Sequence, residues 1–243
     1  MFTTDLPQGN DLASVKRHNA EYGCRGCFIS QDGLGNMDFD TIRHGRYHHL
    51  TTVLLAKLRN LETRAAQNAY ASKWGLSLCP PHPLDQLAIN RHTQTPQDPA
   101  HILLQNLTKT LITGTLDLLN PDGVSTFLAG LTNFDLPRKW SRFQNPFSHI
   151  KSYFFSDFAR LMMIGPFLID KLDTGHFSSG ILDTMKARMN LSRCTQVVKE
   201  ILTCWVAMAS ANALCFSSHI DNYAEIGKTL YELGLMLMKV KPF

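Results

Sequence analysis

The chain lacks the long apolar segments that mark membrane and secreted proteins. Residues 201–216 form the best apolar run, but they fall short of the roughly 18–20 residues that a spanning helix needs. The N-terminal stretch "MFTTDLPQGNDLASVKRHN" has no apolar core of a secretory signal. We therefore predict no membrane partner and an intracellular location, either nuclear or cytoplasmic.

Short catalytic motifs are also missing. The sequence contains no GxGxxG, Walker, GxSxG or HExxH motif, so it gives no sign of a dinucleotide, a phosphate-binding loop, a serine hydrolase or a zinc protease. Neither sign of charge dominates, because 24 basic residues face 20 acidic ones for a net charge of +4. This mild basic excess is compatible with a nucleic-acid partner, although it does not identify one.

Cysteine is scarce, with six residues in 243. Such a number is too small for a dense disulfide framework in a chain of this length. Cys194, Cys204 and Cys215 lie in apolar, helix-like sequence, and we predict them to be ordinary core residues. Cys24 and Cys27 differ from these because only two residues separate them.

Strand patterns are almost absent, whereas apolar residues recur at helical spacing, so we predict a mainly α fold. A helical region is expected over residues 51–74, with Gly75 as its stop signal, and a kink or a break is expected at Gly165–Pro166. A proline-rich stretch divides the chain. The predicted regions are residues 1–75, a connector over residues 76–97, and a C-terminal helical region over residues 98–243.

Two pairs of metal-binding residue types follow each other closely. Cys24 and Cys27 form C-x2-C, and His44 and His48 form H-x3-H, which would place both imidazoles on one face of a helix beginning near Asp38. Two sulfur and two nitrogen ligands favour a closed, structural zinc site. Two other histidines are alternatives for the fourth ligand: His49 and His18. The competing interpretation is that the four residues bind no metal.

The order of several short motifs resembles a known family. Asp5-Leu6-Pro7 is followed by His18, then by the C-x2-C pair, and later by "QDPAHILLQNL" at residues 97–107. This order resembles the transposases of CACTA-type (En/Spm-like) DNA transposons and related transposon-derived reading frames of fungi, over about residues 3–110. The resemblance implies an RNase H-like core in which three carboxylates hold two divalent metal ions, with magnesium as the metal if the protein is active.

The chain departs from that family at the catalytic positions. Asp5 falls where the second carboxylate is expected and His101 matches the family histidine, but the expected glutamate is Gln105. The first carboxylate and the strands of the front half of the sheet would lie upstream. The resemblance therefore implies a degenerate fragment: the helical insertion and C-terminal helical region of a transposase, catalytically inactive as it stands. Asp98 or Asp117 could replace the third carboxylate, although neither lies at the matching position and Asp98 fits a helix N-cap better.

A basic and aromatic stretch, "RKWSRF", is a candidate DNA contact. Arg138, Lys139 and Arg142 alternate there with Trp140, a combination that suits phosphates and unstacked bases. The alternative is a solvated loop whose tryptophan packs into the core.

Three functional hypotheses follow from these residues. The first is a transposase-derived, inactive protein that binds DNA or another protein. The second is a helical zinc-binding interaction module with no nucleic-acid role. The third is an active nuclease that uses Asp5 and Asp98 and is completed by another chain.

Overall fold

The computed structural model describes residues 6–16, 20–77, 90–92, 94 and 98–240. Within these residues the protein is mainly helical, which confirms the predicted class. No strand forms there, and the extended pairing is limited to isolated antiparallel bridges: Val15 with Leu76, Cys27 with Gly45, and Leu119 with Phe177. The described residues thus contain no RNase H-like sheet, and that part of the prediction is not confirmed.

The helices of the described residues, in chain order, are α1 (Leu6–Leu12), α2 (His48–Arg59), α3 (Arg64–Trp74), α4 (Lys109–Leu118), α5 (Pro121–Thr132), α6 (Pro146–His149), α7 (Phe155–Ile169), α8 (Ser179–Arg188), α9 (Cys194–Cys215) and α10 (Tyr223–Val240). A π-helical stretch, Ala100–Thr108, leads directly into α4. The chain forms two compact units, residues 1–101 and 102–243. The predicted three-part division stays a prediction, since most of its connector lies outside the described residues.

The N-terminal unit is built on the packing of α2 against α3. Its small apolar cluster consists of Leu55, Leu58, Ala71 and Leu76. The predicted helical region 51–74 is in fact two helices, because the chain turns after α2 and Thr63 then caps α3 by accepting a hydrogen bond from the Ala66 N–H at 3.2 Å.

Gly75 ends α3, as predicted. Its φ of 63° lies in the left-handed region that favours glycine. A Cβ at this position would lie 2.0 Å from the carbonyl oxygen of Tyr22. The close approach joins the end of α3 to the segment that carries the cysteine pair.

The helix expected from Asp38 does not form. Turns occupy that region, and α2 begins only at His48. The Asp40 carboxylate accepts hydrogen bonds from the backbone N–H groups of Ile42 and Arg43, at 3.1 and 2.8 Å. Such short side chains compete with the helical backbone for its donors and so favour turns. His44 therefore lies in a turn, and the expected i,i+4 face shared with His48 is absent.

The C-terminal unit is organised around α9, which packs against α7, α8 and α10. Trp205 is fully buried and donates its indole N–H to the Thr115 hydroxyl at 2.9 Å. By length and composition α9 is the one helix in the described part of the chain that could cross a membrane, yet 44% of its most apolar window is buried inside the protein. Cys204 is buried there as predicted, whereas Cys194 and Cys215 are only half-buried.

Of the two alternatives predicted at Gly165–Pro166, a kink or a break, the break is absent, because α7 continues through both residues. Pro166 lies in the last turn, where the missing N–H removes one bond at a cost of about 3 kcal/mol. Leu168 and Ile169 follow it and are buried at 1% and 0% exposure. Burial of two such side chains contributes roughly 3–6 kcal/mol, which is enough to hold the last turn in place.

Candidate functional site

The two cysteines lie in a turn that pairs with the segment before α2. The Phe28 N–H donates to the His44 carbonyl and the Arg46 N–H donates to the Gly26 carbonyl, both at 2.9 Å. This pairing places the sulfur atoms of Cys24 and Cys27 3.5 Å apart, with the Cys27 thiol donating to Cys24. Cys27 is buried and Cys24 is half-buried, so the pair is accessible from the Cys24 side.

Arg46 fixes this turn to the rest of the unit. Its guanidinium, 1% exposed, donates to the carbonyl groups of Tyr22 (2.6 Å), Cys24 (2.9 Å) and Trp74 (3.0 Å). The same group lies 4.3 Å from the centre of the Phe28 ring, a cation–π distance. One side chain therefore joins the first residues of the cysteine turn to the end of α3.

The cysteine pair shares one proton. The hydrogen bond from Cys27 lowers the pKa of Cys24 to about 5, against the opposing effect of burial and with help from backbone N–H groups and the charge of Arg46. The same hydrogen bond, together with burial, raises the pKa of Cys27. The lowered pKa favours the thiolate form of Cys24, which is the form that acts as metal ligand and nucleophile.

Two buried arginines, Arg46 and Arg25, interact electrostatically with Cys24. Burial lowers the pKa of Arg46 to about 10, while the charge on Cys24 opposes that shift, so the guanidinium stays charged at neutral pH. Arg25 is only 3% exposed, and its two terminal nitrogens have no hydrogen-bond acceptor among the described residues. Burial lowers its pKa too, and the Cys24 charge again works in the opposite direction. The thiolate is thus a counter-ion for two buried arginines.

The predicted histidine ligands make other contacts. His44 is hydrogen-bonded through Nδ1 to the Asp40 carbonyl at 3.1 Å, and His48 Nδ1 accepts from Arg91 Nε at 3.3 Å. His49 stacks on Tyr47. No three His, Cys, Asp or Glu side chains are grouped to hold a metal ion in the described residues. His18 lies outside them, so the zinc prediction is neither completed nor excluded.

His92 is a half-buried histidine that the sequence did not single out. Its Nε2 is 2.8 Å from the Thr51 hydroxyl. Burial lowers its pKa to about 3, aided by the charges of Arg46, Arg91 and His48. Because it lies in the stretch predicted as a connector, with no periodicity around it, no local pattern could have identified it.

The candidate catalytic carboxylates are not grouped either. Asp5 lies outside the described residues. Asp98 accepts a hydrogen bond from the Ala100 N–H at 2.8 Å and pairs with His101. These contacts are those of a helix N-cap, the alternative role predicted for Asp98. Burial acts to raise the pKa of Asp98, but these hydrogen bonds outweigh it and leave the pKa below its usual value. Gln105 is exposed.

The basic loop predicted to contact DNA lies in the C-terminal unit. Arg138 and Lys139 are exposed, and Arg142 donates to the Thr132 carbonyl at 2.6 Å. Trp140 is half-buried, with the guanidinium of Arg160 5.6 Å from the centre of its ring. The loop therefore presents its cations to solvent, while its tryptophan packs against a neighbouring cation.

No protein-family model matches this chain, and no curated protein or solved structure matches it.

Proposed function

We propose that the protein is a catalytically inactive, transposase-derived DNA-binding protein whose N-terminal unit binds zinc through Cys24 and Cys27. The observation that carries the zinc site is the separation of 3.5 Å between the two sulfur atoms. Two sulfurs at about 2.3 Å from one tetrahedral zinc ion lie about 3.8 Å apart, whereas bonded sulfurs lie at about 2.05 Å. The pair thus has close to the spacing that a shared metal ion requires.

The charge state of the pair supports the same proposal. The pKa of Cys24 is lowered and that of Cys27 is raised, so the proton on Cys27 is the one that metal binding chiefly has to displace. Among the predicted histidine ligands, His44 is the best candidate for a further ligand. Its Nδ1 already contacts the Asp40 carbonyl, and metal-bound histidines usually make such a contact through the nitrogen that does not bind the metal. The turn that carries His44 would have to move toward the sulfurs for it to bind.

Zinc content per chain tests the proposal directly. We expect about one zinc ion in protein purified without chelator, and its loss in Cys24→Ser/Cys27→Ser. Cys194→Ser/Cys215→Ser is the matched control, because it removes two half-buried cysteines from the other unit. A folded wild-type chain with no zinc would contradict the proposal.

The proposed DNA contact is the exposed loop with Arg138, Lys139 and Arg142. Its support is the exposure of these cations on one short segment of a chain with net charge +4. Phosphate contacts of this kind are independent of sequence and weaken with salt, with a slope of about −0.9 in log K against log salt for each contact.

Duplex binding measured across a salt series tests this contact. Arg138→Gln/Lys139→Gln should weaken binding and reduce the slope by about two. Lys171→Gln/Lys199→Gln removes two exposed cations elsewhere in the unit and should leave the slope unchanged. A chain that binds zinc but no DNA would favour the alternative, a helical zinc-binding interaction module.

The residues at the expected catalytic positions support the proposal that the protein is catalytically inactive. Asp98 is held by the Ala100 N–H and His101, and Gln105 carries a neutral amide that cannot offset the charge of a metal ion. Incubation of supercoiled DNA with magnesium should therefore produce no nicking. Nicking that Asp5→Ala or Asp98→Asn abolishes would instead establish the nuclease hypothesis.

A further inference from the structure

The last helix, α10, presents an apolar stripe to solvent. One face packs on α9 and buries Leu233 at 1% exposure. The other side leaves large apolar side chains exposed, from 36% for Leu230 to 77% for Tyr223. These side chains form the stripe: Tyr223, Leu230, Tyr231, Leu235 and Met238. Exposed apolar residues at helical spacing on a soluble unit mark an interaction surface rather than a solvated face.

The stripe is self-complementary about its midpoint, which lies between Leu230 and Tyr231. If a second α10 runs antiparallel across this point, Tyr223 of one copy lies opposite Met238 of the other. Leu230 then lies opposite Tyr231 of the second copy. Such matching of a surface with itself is the geometry of a two-fold interface.

The charges flanking the stripe obey the same symmetry. Lys228 and Glu232 lie on one edge of it and are equidistant, within one residue, from the midpoint. Within one helix their charged atoms are 3.9 Å apart and well exposed. In an antiparallel pair, equal edges meet, so Lys228 of each copy faces Glu232 of the other. Charge pairs flanking an apolar seam set the orientation of paired helices.

The glycines of the stripe allow close approach. Gly227 lies opposite Gly234 of the second copy in the same register. A Cβ at Gly227 would meet no atom of the described residues within 4 Å, so none of them requires glycine there. Glycine inside a helix costs about 1 kcal/mol relative to alanine. Contact with a second helix backbone gives that cost a structural reason.

We propose that two copies of this chain associate through an antiparallel pairing of their α10 helices, centred between Leu230 and Tyr231. A lipid surface fits less well, because the edge of the stripe carries acidic and basic residues together instead of the cationic face of a membrane-binding helix. The proposal stands independently of zinc and DNA binding.

Sedimentation velocity over a concentration series tests the pairing. The wild-type chain should form a concentration-dependent dimer. Lys228→Glu and Glu232→Lys should each weaken it at least about tenfold, since each creates two like-charge contacts across the two-fold axis. Lys199→Glu changes the net charge by the same amount on α9 and should have no effect; circular dichroism checks that every variant keeps its helix content.

A mixture of the Lys228→Glu and Glu232→Lys variants provides the decisive experiment. A chain with two acidic residues at positions 228 and 232 then faces a chain with two basic residues there, so the mixed dimer should recover wild-type affinity. A wild-type chain that stays monomeric would overturn the proposal. So would a dimer that tolerates both single reversals, or a mixture that shows no recovery.

Discussion

Arg46 is the residue on which the N-terminal unit depends most. Its three acceptors lie 22 to 28 residues away in sequence, so it joins the cysteine turn to the end of α3. Arg46→Met would leave three carbonyl groups without their donor. We expect the free energy of unfolding to fall by at least about 3 kcal/mol, measured by urea denaturation.

Two further variants separate the roles of charge and geometry at this position. Arg46→Lys keeps a cation but loses the planar fork, so it should recover only part of the stability. Arg43→Met changes an exposed arginine three residues earlier and should shift stability by no more than about 0.5 kcal/mol. Equal stability of Arg46→Met and Arg43→Met would show that the guanidinium contacts do not stabilise the unit.

His92 makes stability depend on pH. Its pKa is about 3 in the folded chain, against an ordinary value of 6.5, because burial and nearby cations disfavour the charged ring. Between these values the unfolded chain binds a proton that the folded chain does not. Stability should therefore be complete above pH 6.5 and decline as the pH falls toward 3, by at most about 1.4 kcal/mol per pH unit.

The variant His92→Asn should flatten this decline in denaturation curves recorded from pH 7 to pH 4. Burial also lowers the pKa of His48, so part of the decline should remain in this variant. His149→Asn alters an exposed histidine of the other unit and serves as the control. An unchanged slope in His92→Asn would mean that His92 is not the group that resists protonation.

At the scale of helices, the sequence predicted those helix ends that depend on a single residue and its immediate neighbours. Gly75 as a stop and Asp98 as a cap depend on one backbone angle and one side-chain bond, and both are found. The continuation of α7 through Pro166 depends on burial of the residues after it, which no pattern around the proline reveals. Likewise, the spacing of the cysteines predicted their proximity, but nothing near them in sequence pointed to His92.

The contact between α7 and α9 predicts that alanine at Gly165 destabilises the protein, although alanine normally favours a helix. A Cβ at Gly165 would lie 2.1 Å from the ring of Trp205, which is fully buried and hydrogen-bonded to Thr115. Gly165→Ala should therefore destabilise the C-terminal unit by about 1–3 kcal/mol in urea denaturation, because the packed ring cannot move away freely.

The matched control is Gly180→Ala in the first turn of α8, where a Cβ would meet no atom within 4 Å. Alanine has the higher helix propensity, so this variant should be neutral or slightly stabilising. If Gly165→Ala were equally harmless, the close packing of α7 on Trp205 would be refuted.

At the scale of the whole molecule, the division into two units predicts that the C-terminal unit folds as an isolated fragment. The C-terminal unit has its own core around Trp205, and a chain of roughly 150 residues buries enough surface to fold alone. The predicted boundary at Asp98 differs from the boundary between the units by a few residues, yet it retains the hydrogen bond to the Ala100 N–H.

We therefore expect a fragment of residues 98–243 to be helical by circular dichroism and to unfold cooperatively in urea. A fragment of residues 102–243 begins after Asp98 and His101, so it loses the cap of the helical stretch that leads into α4. It should be less stable by about 1 kcal/mol, the usual value of an N-cap. Asp98→Ala in the longer fragment should reproduce that loss, which separates the cap from the effect of length. A longer fragment without a cooperative transition would show that the core around Trp205 cannot sustain this unit by itself.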